Sequence, residues 1–204
     1  MKYVDEFRDP DKARTLTQEI HRVVERIVRG RGGLERPLQI MEVCGGHTHS
    51  IFRYGIHQML PPEVEFVHGP GCPVCVLPMG RVDDCVALAE RPEVIFTTFG
   101  DAIRVPGSRK SLLKAKADGA DVRMVYSPLD ALAVARANPH REVIFFGLGF
   151  ETTMPSTAMT VLEAHAQRIN NFSLFCNHIT IIPTIRPFLI PPTCILTAFL
   201  APDM

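Results

Sequence analysis

The chain has 204 residues, of which 22 are basic and 22 acidic, so its formal net charge is zero. This balance argues against nucleic acid or an anionic membrane as a partner, because no long-range field attracts a polyanion. A hydrophobic content of 46% with 22% charged residues is typical of a soluble globular protein. The chain contains neither an apolar leader core nor the about 18 uninterrupted apolar residues of a spanning helix. We therefore predict a cytoplasmic protein of one or two domains.

Short apolar runs alternate with helical patterns along the chain. Apolar residues recur at helical spacing over 17–28, and Gly30, Gly32 and Gly33 then end this pattern. The predicted strands are 38–43, 64–68, 94–98, 121–126, 143–146 and 172–176. The predicted helices after the first are 49–60, 81–90, 108–118, 128–137 and 155–169, with a weaker pattern at 185–189. Apolar strands separated by helices predict an α/β fold, with parallel sheets covered by helices on both faces in Rossmann-like lobes.

Most reactive and glycine-rich residues directly follow a predicted strand. The segments concerned are 44–47, 69–75, 99–101, 147–153 and 177–178. In parallel sheets, ligands bind beyond the carboxyl ends of the strands. We therefore predict that Cys44, Cys72, Asp101 and Glu151 lie at the carboxyl edge of the sheet, within one continuous groove or facing each other across it.

Cys44 stands between a predicted strand and a predicted helix, in the run MEVCGGHTH over 41–49. The backbone N–H groups of Gly45 and Gly46, with the positive end of the helix, would favour its thiolate, which is a soft metal ligand. Cys44 could instead be small filler in a tight turn. His47 is a second ligand, a proton donor or a helix cap, and His49 is a surface or capping residue.

Cys72 and Cys75 have the C-x-x-C spacing of thiol–disulfide centres, within the run GPGCPVC over 69–75. The same spacing supplies half of a tetrahedral zinc site, which needs two further ligands. The local candidates for these ligands are His68, Cys85 and Cys44. Because the intervening proline restricts a short ring, we expect a reversible disulfide rather than permanent metal binding.

The other cysteines give weaker signals. Cys85 falls in a helical pattern, where a buried structural thiol is expected. Cys176 ends an apolar run, and neither it nor Cys194 has a role that the sequence assigns.

The segments that follow the predicted strands 143–146 and 94–98 contain further candidate functional residues. The run GLGF over 147–150 resembles a dinucleotide fingerprint, but Thr153 stands in place of the third glycine, so we reject such a cofactor site. Thr152 and Thr153 are expected to cap a helix. Asp101 is either a general acid or base, or a cap for the segment that follows.

Several motifs in the same order resemble the HypD family of [NiFe]-hydrogenase maturation proteins. They are MEVCGGHTH (41–49), GPGCPVC (69–75), FGD (99–101), YSPLDAL (126–132) and FGLGFETT (146–153). The likeness runs from about residue 7 to residue 201. It implies an assembly scaffold rather than a conventional turnover enzyme. The resemblance further implies that the Fe(CN)2CO moiety of the hydrogenase large subunit would be assembled on this scaffold, with a HypC-type chaperone and a HypE-type cyanide donor.

The resemblance also implies roles for particular residues. Cys44 matches the family cysteine that holds iron together with a HypC cysteine, and Cys72 and Cys75 match the redox-active pair. His47 and Asp101 would assist in the same cleft. The further residues expected to contact the bound group are Gly45, Gly46, Glu151 and Thr152.

The family continues beyond residue 204, into a region whose cysteines bind a [4Fe-4S] cluster, so the ligands of that cluster are not expected here. Residues 201–204 read APDM where the family usually reads APGH. We therefore predict an N-terminal helical segment over 1–33, a first α/β lobe over 34–141 with all three motif cysteines, and a partial second α/β lobe over 142–204. Two alternatives remain, namely a thiol–disulfide oxidoreductase that uses Cys72 and Cys75 with Cys44 as resolving thiol, and a zinc-stapled binding module.

Overall fold

The computed structural model of the chain describes residue 5 and residues 8–69, 71–189 and 198–200. The chain divides into two compact units, one comprising Met1–Gly71 with Pro187–Pro202 and the other comprising Cys72–Arg186. Each unit contains one parallel β-sheet, and helices flank the sheets, which confirms the predicted α/β class. Among the residues described, no helix is both long enough and apolar enough to cross a membrane.

The first unit begins with a long helix, α1 (Pro10–Gly30), which starts earlier than predicted because Asp9 caps it. The Asp9 side chain accepts hydrogen bonds from the N–H groups of Asp11 and Lys12, and Pro10 occupies the first turn, where its missing N–H costs nothing. The elements that follow are β1 (Leu38–Glu42), α2 (Gly45–Arg53), α3 (Ile56–Met59) and β2 (Val64–His68), and β7 (Ala198–Leu200) comes from the far end of the chain. The strand order is β2-β1-β7, and both pairings are parallel.

The second unit is a four-stranded parallel sheet with the order β4-β3-β5-β6. Its strands are β3 (Val94–Thr98), β4 (Val122–Met124), β5 (Glu142–Gly149) and β6 (Phe172–His178). Its helices are α4 (Met79–Ala89), α5 (Leu112–Ala117), α6 (Pro128–Ala137), α7 (Met154–Ala166) and α8 (Ile181–Leu189). Short 3-10 turns at Ala102–Arg104 and Glu151–Thr153 follow β3 and β5.

The core of the second unit lies on both faces of this sheet. Phe96 and Phe146 point to the face covered by α4 and α5, where Cys85 and Leu112 are also buried. Ile95, Val143 and Phe145 lie an odd number of positions from these two residues along their strands, so they point to the opposite face, against α6. Because side chains alternate along a strand, a sheet covered on both faces requires continuous apolar runs, and this is the pattern seen in the sequence.

The limits of the two units differ from the predicted lobes. The predicted boundary at 141/142 falls between β4 and β5, yet both strands belong to one sheet, because β3 pairs with each of them. The observed boundary follows Gly71, directly before the Cys72/Cys75 pair. Periodicity identifies strands but not their neighbours, so it could not indicate which strands share a sheet.

Most predicted elements match the structure within a few residues. The strands β2 and β3 and the helix α6 have the predicted limits. The α6 limits follow from a capping box, in which Ser127 and Asp130 exchange hydrogen bonds across the first turn. The predicted helix 49–60 is instead two helices, because Gly55 adopts a left-handed conformation with φ of 62° and breaks it.

Candidate functional site

Cys44 lies where the chain leaves β1 and enters α2. Its backbone is extended, with φ −143° and ψ 121°, and its carbonyl oxygen accepts hydrogen bonds from the N–H groups of His47 at 2.8 Å and Thr48 at 3.0 Å. These bonds begin α2, whereas the Cys44 side chain makes no capping bond. The half-buried thiol therefore stands at the positive end of a nine-residue helix, and it makes no hydrogen bond to the residues that the structure describes.

The loop after β2 packs directly on the Cys44 turn. The Gly45 N–H donates to the carbonyl oxygen of Gly71 at 2.7 Å, and the Gly69 N–H donates to the carbonyl oxygen of Glu42 at 2.9 Å. A Cβ atom on Gly71 would lie 2.8 Å from the nitrogen of Gly45 and 3.2 Å from the carbonyl carbon of Cys44. Two motifs that are distant in the sequence thus form one close backbone contact that requires glycine.

This contact alters the role predicted for one glycine of the Cys44 motif. The Gly45 N–H is committed to Gly71, so it forms the turn instead of donating to the Cys44 thiolate as predicted. Gly46 lies beside the thiol, because a Cβ atom there would be 3.6 Å from the sulfur of Cys44. A glycine at this position therefore leaves space next to the sulfur.

A buried carboxylate supports the same turn. The Glu42 side chain is fully buried, with 0% exposure, and it accepts hydrogen bonds from the Cys44 N–H at 3.0 Å, from the Thr48 hydroxyl and from His68 Nδ1 at 2.7 Å. Burial raises the pKa of Glu42, but the bonds from Thr48, His68 and Cys44 outweigh it and hold the pKa below its usual value. Glu42 is thus a buried anion that ties the Cys44 turn to the end of β2.

His47 lies in the first turn of α2, as predicted, and it is half-buried. Its Nδ1 atom is buried and has no hydrogen-bond partner among the residues described. A buried ring nitrogen without a partner is uncommon, since such an atom loses its water without compensation. His47 therefore has a free polar atom close to Cys44 in the sequence, whereas His49 is exposed on the same helix.

Cys72 and Cys75 lie in a single turn at the start of the second unit. The N–H groups of Cys75 and Val76 donate to the Cys72 carbonyl oxygen at 3.0 and 3.1 Å. A hydrogen bond between the two thiol groups is the main factor that raises the pKa of Cys75, and burial adds to it. Both thiols are free in this structure, with Cys72 half-buried and Cys75 exposed, so the pair is adjacent and accessible.

Asp101 and Glu151 follow β3 and β5 at the carboxyl edge of the second sheet. Asp101 is exposed, and its side chain accepts a hydrogen bond from the Ala102 N–H at 2.9 Å, which makes it the cap that the sequence offered as one of two roles. Glu151 accepts a hydrogen bond from the Ile181 N–H at 2.5 Å and so holds the start of α8. Thr152 is exposed beside Glu151.

The capping role predicted for Thr153 is not performed by its side chain. Thr153 precedes α7 without a side-chain capping bond, and its hydroxyl instead donates to the carbonyl oxygen of Phe150 at 2.9 Å. A Cβ atom on Gly149 would lie 2.1 Å from this hydroxyl oxygen, so the glycine is required where the threonine folds back.

The remaining described cysteines differ in exposure. Cys85 is fully buried in α4, and burial raises its pKa to about 12, which agrees with the predicted structural role. Cys176 is exposed on β6, where its sulfur is 3.4 Å from Nδ1 of His178. Cys194 and residues 201–204 lie outside the described residues.

The candidate residues are divided between the two units. Cys44 follows a strand of the first sheet, whereas Cys72, Asp101 and Glu151 belong to the second unit. The structure therefore has two sheet edges where the sequence predicted one, and the common groove stays a prediction. In the described part of the chain, no group of three or more His, Cys, Asp and Glu side chains is arranged to hold a metal ion.

Sequence reasoning missed the carboxylate network behind Cys44. Glu42 was noted only as part of a motif, and His68 only as a possible zinc ligand. One signal could have revealed the pair: Glu42 is a charged residue that ends an otherwise largely apolar strand, next to a cysteine. A charged side chain in such a strand must find partners, because burial of an unpaired charge is costly.

The structure defines an α/β protein with two cysteine motifs: a thiol at a strand–helix junction of one unit and a C-x-x-C turn at the start of the other. The chain belongs to the HypD family, whose model, described as "HypD: Hydrogenase formation hypA family", matches residues 11–204. The resemblance drawn from the motifs is thereby confirmed.

Individual relatives agree with the family assignment. Over 202 residues, the chain is 60% identical to the hydrogenase maturation factor HypD of Escherichia coli (strain K12) and 59% identical to that of Rhodobacter capsulatus. Each match covers 99% of this chain and 53% of the relative. The HypD protein of Cupriavidus necator is 48% identical over 180 residues, which cover 88% of this chain and 45% of the relative. The chain thus spans about half the length of the curated relatives it matches.

Proposed function

We propose that this chain acts in hydrogenase maturation as a scaffold that holds iron through Cys44 while the Fe(CN)2CO moiety is assembled. The observation that carries this proposal is the position of the Cys44 thiol. It stands at the amino end of α2 without a hydrogen bond to any described residue, although the backbone around it is fixed by bonds to Gly71 and Thr48. A thiol that is positioned but not used structurally is suited to bind a cargo.

Thiolate is a soft, strongly donating ligand, which suits low-spin iron that carries cyanide and carbon monoxide. The amino end of α2 favours the negative charge on the sulfur, and the space beside Gly46 admits a bound group. His47, with its unpartnered Nδ1, would assist at the same turn. Iron is the cargo in this scheme, and the cyanide comes from a HypE-type partner.

We further propose that Cys72 and Cys75 are a redox pair. Closing the dithiol to a disulfide forms one S–S bond and releases two electrons and two protons, which a reduction step during assembly can consume. Support comes from the location of both thiols in one turn and from the exposure of Cys75. Asp101, Glu151 and Thr152 remain assisting residues of this proposal.

The partners in this proposal follow from the family. A HypC-type chaperone would share the iron through a cysteine of its own, and a HypE-type protein would supply the cyanide. The finished moiety would pass to the hydrogenase large subunit. Assembly in the cytoplasm is part of the same proposal.

Removal of the anchor tests the role of Cys44. The chain and a HypC-type partner would be co-purified anaerobically, with iron measured by metal analysis and the CN and CO stretches by infrared spectroscopy. We expect Cys44→Ala to abolish iron retention and the infrared bands, because the thiolate ligand is lost while the backbone bonds of the turn remain. Cys176→Ala, which removes an exposed thiol of the second unit, is the control and should retain both signals. Undiminished iron in Cys44→Ala would refute the assignment.

Thiol trapping at controlled redox potentials tests the second pair. We expect Cys72 and Cys75 to change together between a trappable dithiol and a protected disulfide, at a potential that cellular reductants reach. Replacing either residue by alanine should leave iron bound weakly but stop delivery of the completed centre. A pair that remains unreactive under both reducing and oxidising conditions, with one zinc ion per chain, would favour the zinc-stapled module instead.

A further inference from the structure

His68 is the last residue of β2, and only one of its ring nitrogens is used within the described structure. Its Nδ1 is 2.7 Å from Oε1 of Glu42, and its side chain is 38% exposed. Among the described residues, Nε2 has no hydrogen-bond partner. One face of the ring packs against Phe52, with the ring centroids 5.2 Å apart, so the imidazole is held from two sides.

The hydrogen bonds determine which nitrogen of His68 carries the proton. The Glu42 carboxylate takes three bonds from the Cys44 N–H, the Thr48 hydroxyl and His68, and an ionised carboxylate can only accept. Nδ1 of His68 must therefore be the donor. In the neutral ring the lone pair then lies on Nε2, which is the atom that remains available for a metal ion.

The same carboxylate holds the Cys44 backbone. Oε2 of Glu42 accepts the Cys44 N–H at 3.0 Å while Oε1 accepts from His68, and Glu42 and His68 are register partners on adjacent parallel strands. One buried group thus fixes both a thiol-bearing turn and an imidazole at the carboxyl end of the same sheet. A carboxylate that receives the second N–H of an imidazole is the arrangement that orients histidine ligands in metal sites.

The cost of this arrangement argues for a role beyond packing. Burying a carboxylate removes its hydration, which several hydrogen bonds must offset, whereas an apolar residue at the end of a buried strand has no such cost. Glu42 is fully buried, and yet it accepts a hydrogen bond from the partly exposed imidazole ring of His68. The structure thus orients His68 without sequestering it.

We propose that His68 is a second metal-binding side chain beside Cys44, with Glu42 as the positioning residue for both. The inference rests on the proposed role of Cys44 and adds a nitrogen ligand to it. A thiolate and an imidazole together suit divalent iron, cobalt and zinc. His68 would bind through Nε2, and Glu42 would fix its tautomer.

Two probes test this on the whole chain under anaerobic conditions. Titration with Co2+ is carried out in a background with Cys72, Cys75 and Cys176 replaced by serine, which is the reference for all the cobalt variants. It reports the affinity and, through thiolate-to-cobalt charge-transfer absorption, the participation of Cys44. Nitrogen-15 NMR of labelled histidine, with Zn2+ as a diamagnetic probe, reports the ring atom that binds. We expect His68 to show the Nδ1–H tautomer without metal, and its Nε2 resonance to shift when Zn2+ is added.

The variants separate this inference from the function on which it rests. We expect His68→Gln to weaken Co2+ binding at least tenfold while the thiolate band persists, and Glu42→Gln to weaken it roughly 10–100-fold. His57→Gln is the matched control, because His57 also packs on Phe52, at 5.1 Å, but lacks a bond to Glu42. It should bind as the reference does.

Three results would overturn the proposals in distinguishable ways. If His68→Gln binds Co2+ within twofold of the reference and Zn2+ leaves the Nε2 resonance unmoved, His68 is not a ligand, and the Cys44 anchor stands. If Cys44→Ser keeps the charge-transfer band, the proposed anchor itself fails. If the unmodified chain binds neither metal, both proposals fail. The NMR measurement on the unmodified chain keeps the test decisive even where Glu42→Gln does not fold.

Discussion

Replacing Gly71 by alanine should destabilise the Cys44 turn, whereas the same replacement at a glycine with open space around it should not. The new Cβ atom would lie 2.8 Å from the nitrogen of Gly45, whereas ordinary contacts begin at 3.4 Å, so the backbone must move by about 0.6 Å. Crowding of this kind costs about 1–3 kcal/mol. Weakening the 2.7 Å hydrogen bond between Gly45 and Gly71 adds about 0.5–1.5 kcal/mol. We expect the free energy of unfolding of the first unit to fall by about 2–4 kcal/mol.

Urea unfolding followed by circular dichroism measures this loss, since the chain contains no tryptophan to serve as a fluorescent probe. Hydrogen exchange of peptides from 38–71 would show that the loss is confined to the first unit. Gly80→Ala is the matched control, because a Cβ atom at Gly80 meets nothing within 4 Å in the first turn of α4. It should be neutral or stabilise by up to about 1 kcal/mol. Equal stability of the Gly71→Ala and Gly80→Ala variants would refute the close contact described here.

Two further predictions concern the second unit. Hydrogen bonds from Arg123 and Arg141, opposed by partial burial, lower the pKa of Asp121 to about 2 from 3.8. The lowered pKa stabilises the fold by about 2 kcal/mol above pH 4, and this stabilisation is lost as the pH falls through 2. The difference in free energy of unfolding between the unmodified chain and Asp121→Asn should therefore shrink over that range. A difference that does not change with pH would contradict this. Cys85 should resist thiol reagents until urea unfolds the chain, because burial raises its pKa to about 12, and labelling as fast as Cys75 would contradict its burial.

Local patterns in the sequence were sufficient to predict most elements of the fold. The strand β3 is buried on both faces, so its apolar run could be recognised without any knowledge of its neighbours. The limits of α6 are set by the Ser127 and Asp130 capping box, which lies entirely within four residues. The thiols of the candidate site were predicted for the same reason, since each stands in a short motif beside glycine or proline.

Features that depend on strand pairing could not be predicted. The register that places Glu42 opposite His68 joins residues 26 positions apart, and only the paired strands reveal that the two side chains meet. The close contact of Gly71 with Gly45 has the same origin. The predicted lobe boundary differed because β5 pairs with β3, a choice that periodicity does not encode.

The pairing of β1 with β7 has a consequence for the order of events during synthesis. β1 lies between β2 and β7, and Met41 is the register partner of Phe199, so the strand that precedes Cys44 receives its second neighbour only when the ribosome has made the chain as far as β7. The second unit is continuous over Cys72–Arg186 and precedes β7, so it is complete before β7 is made. Until then one edge of β1 remains unpaired. The strand that leads into the proposed anchor thus gains its second neighbour only after the dithiol-bearing unit has been made.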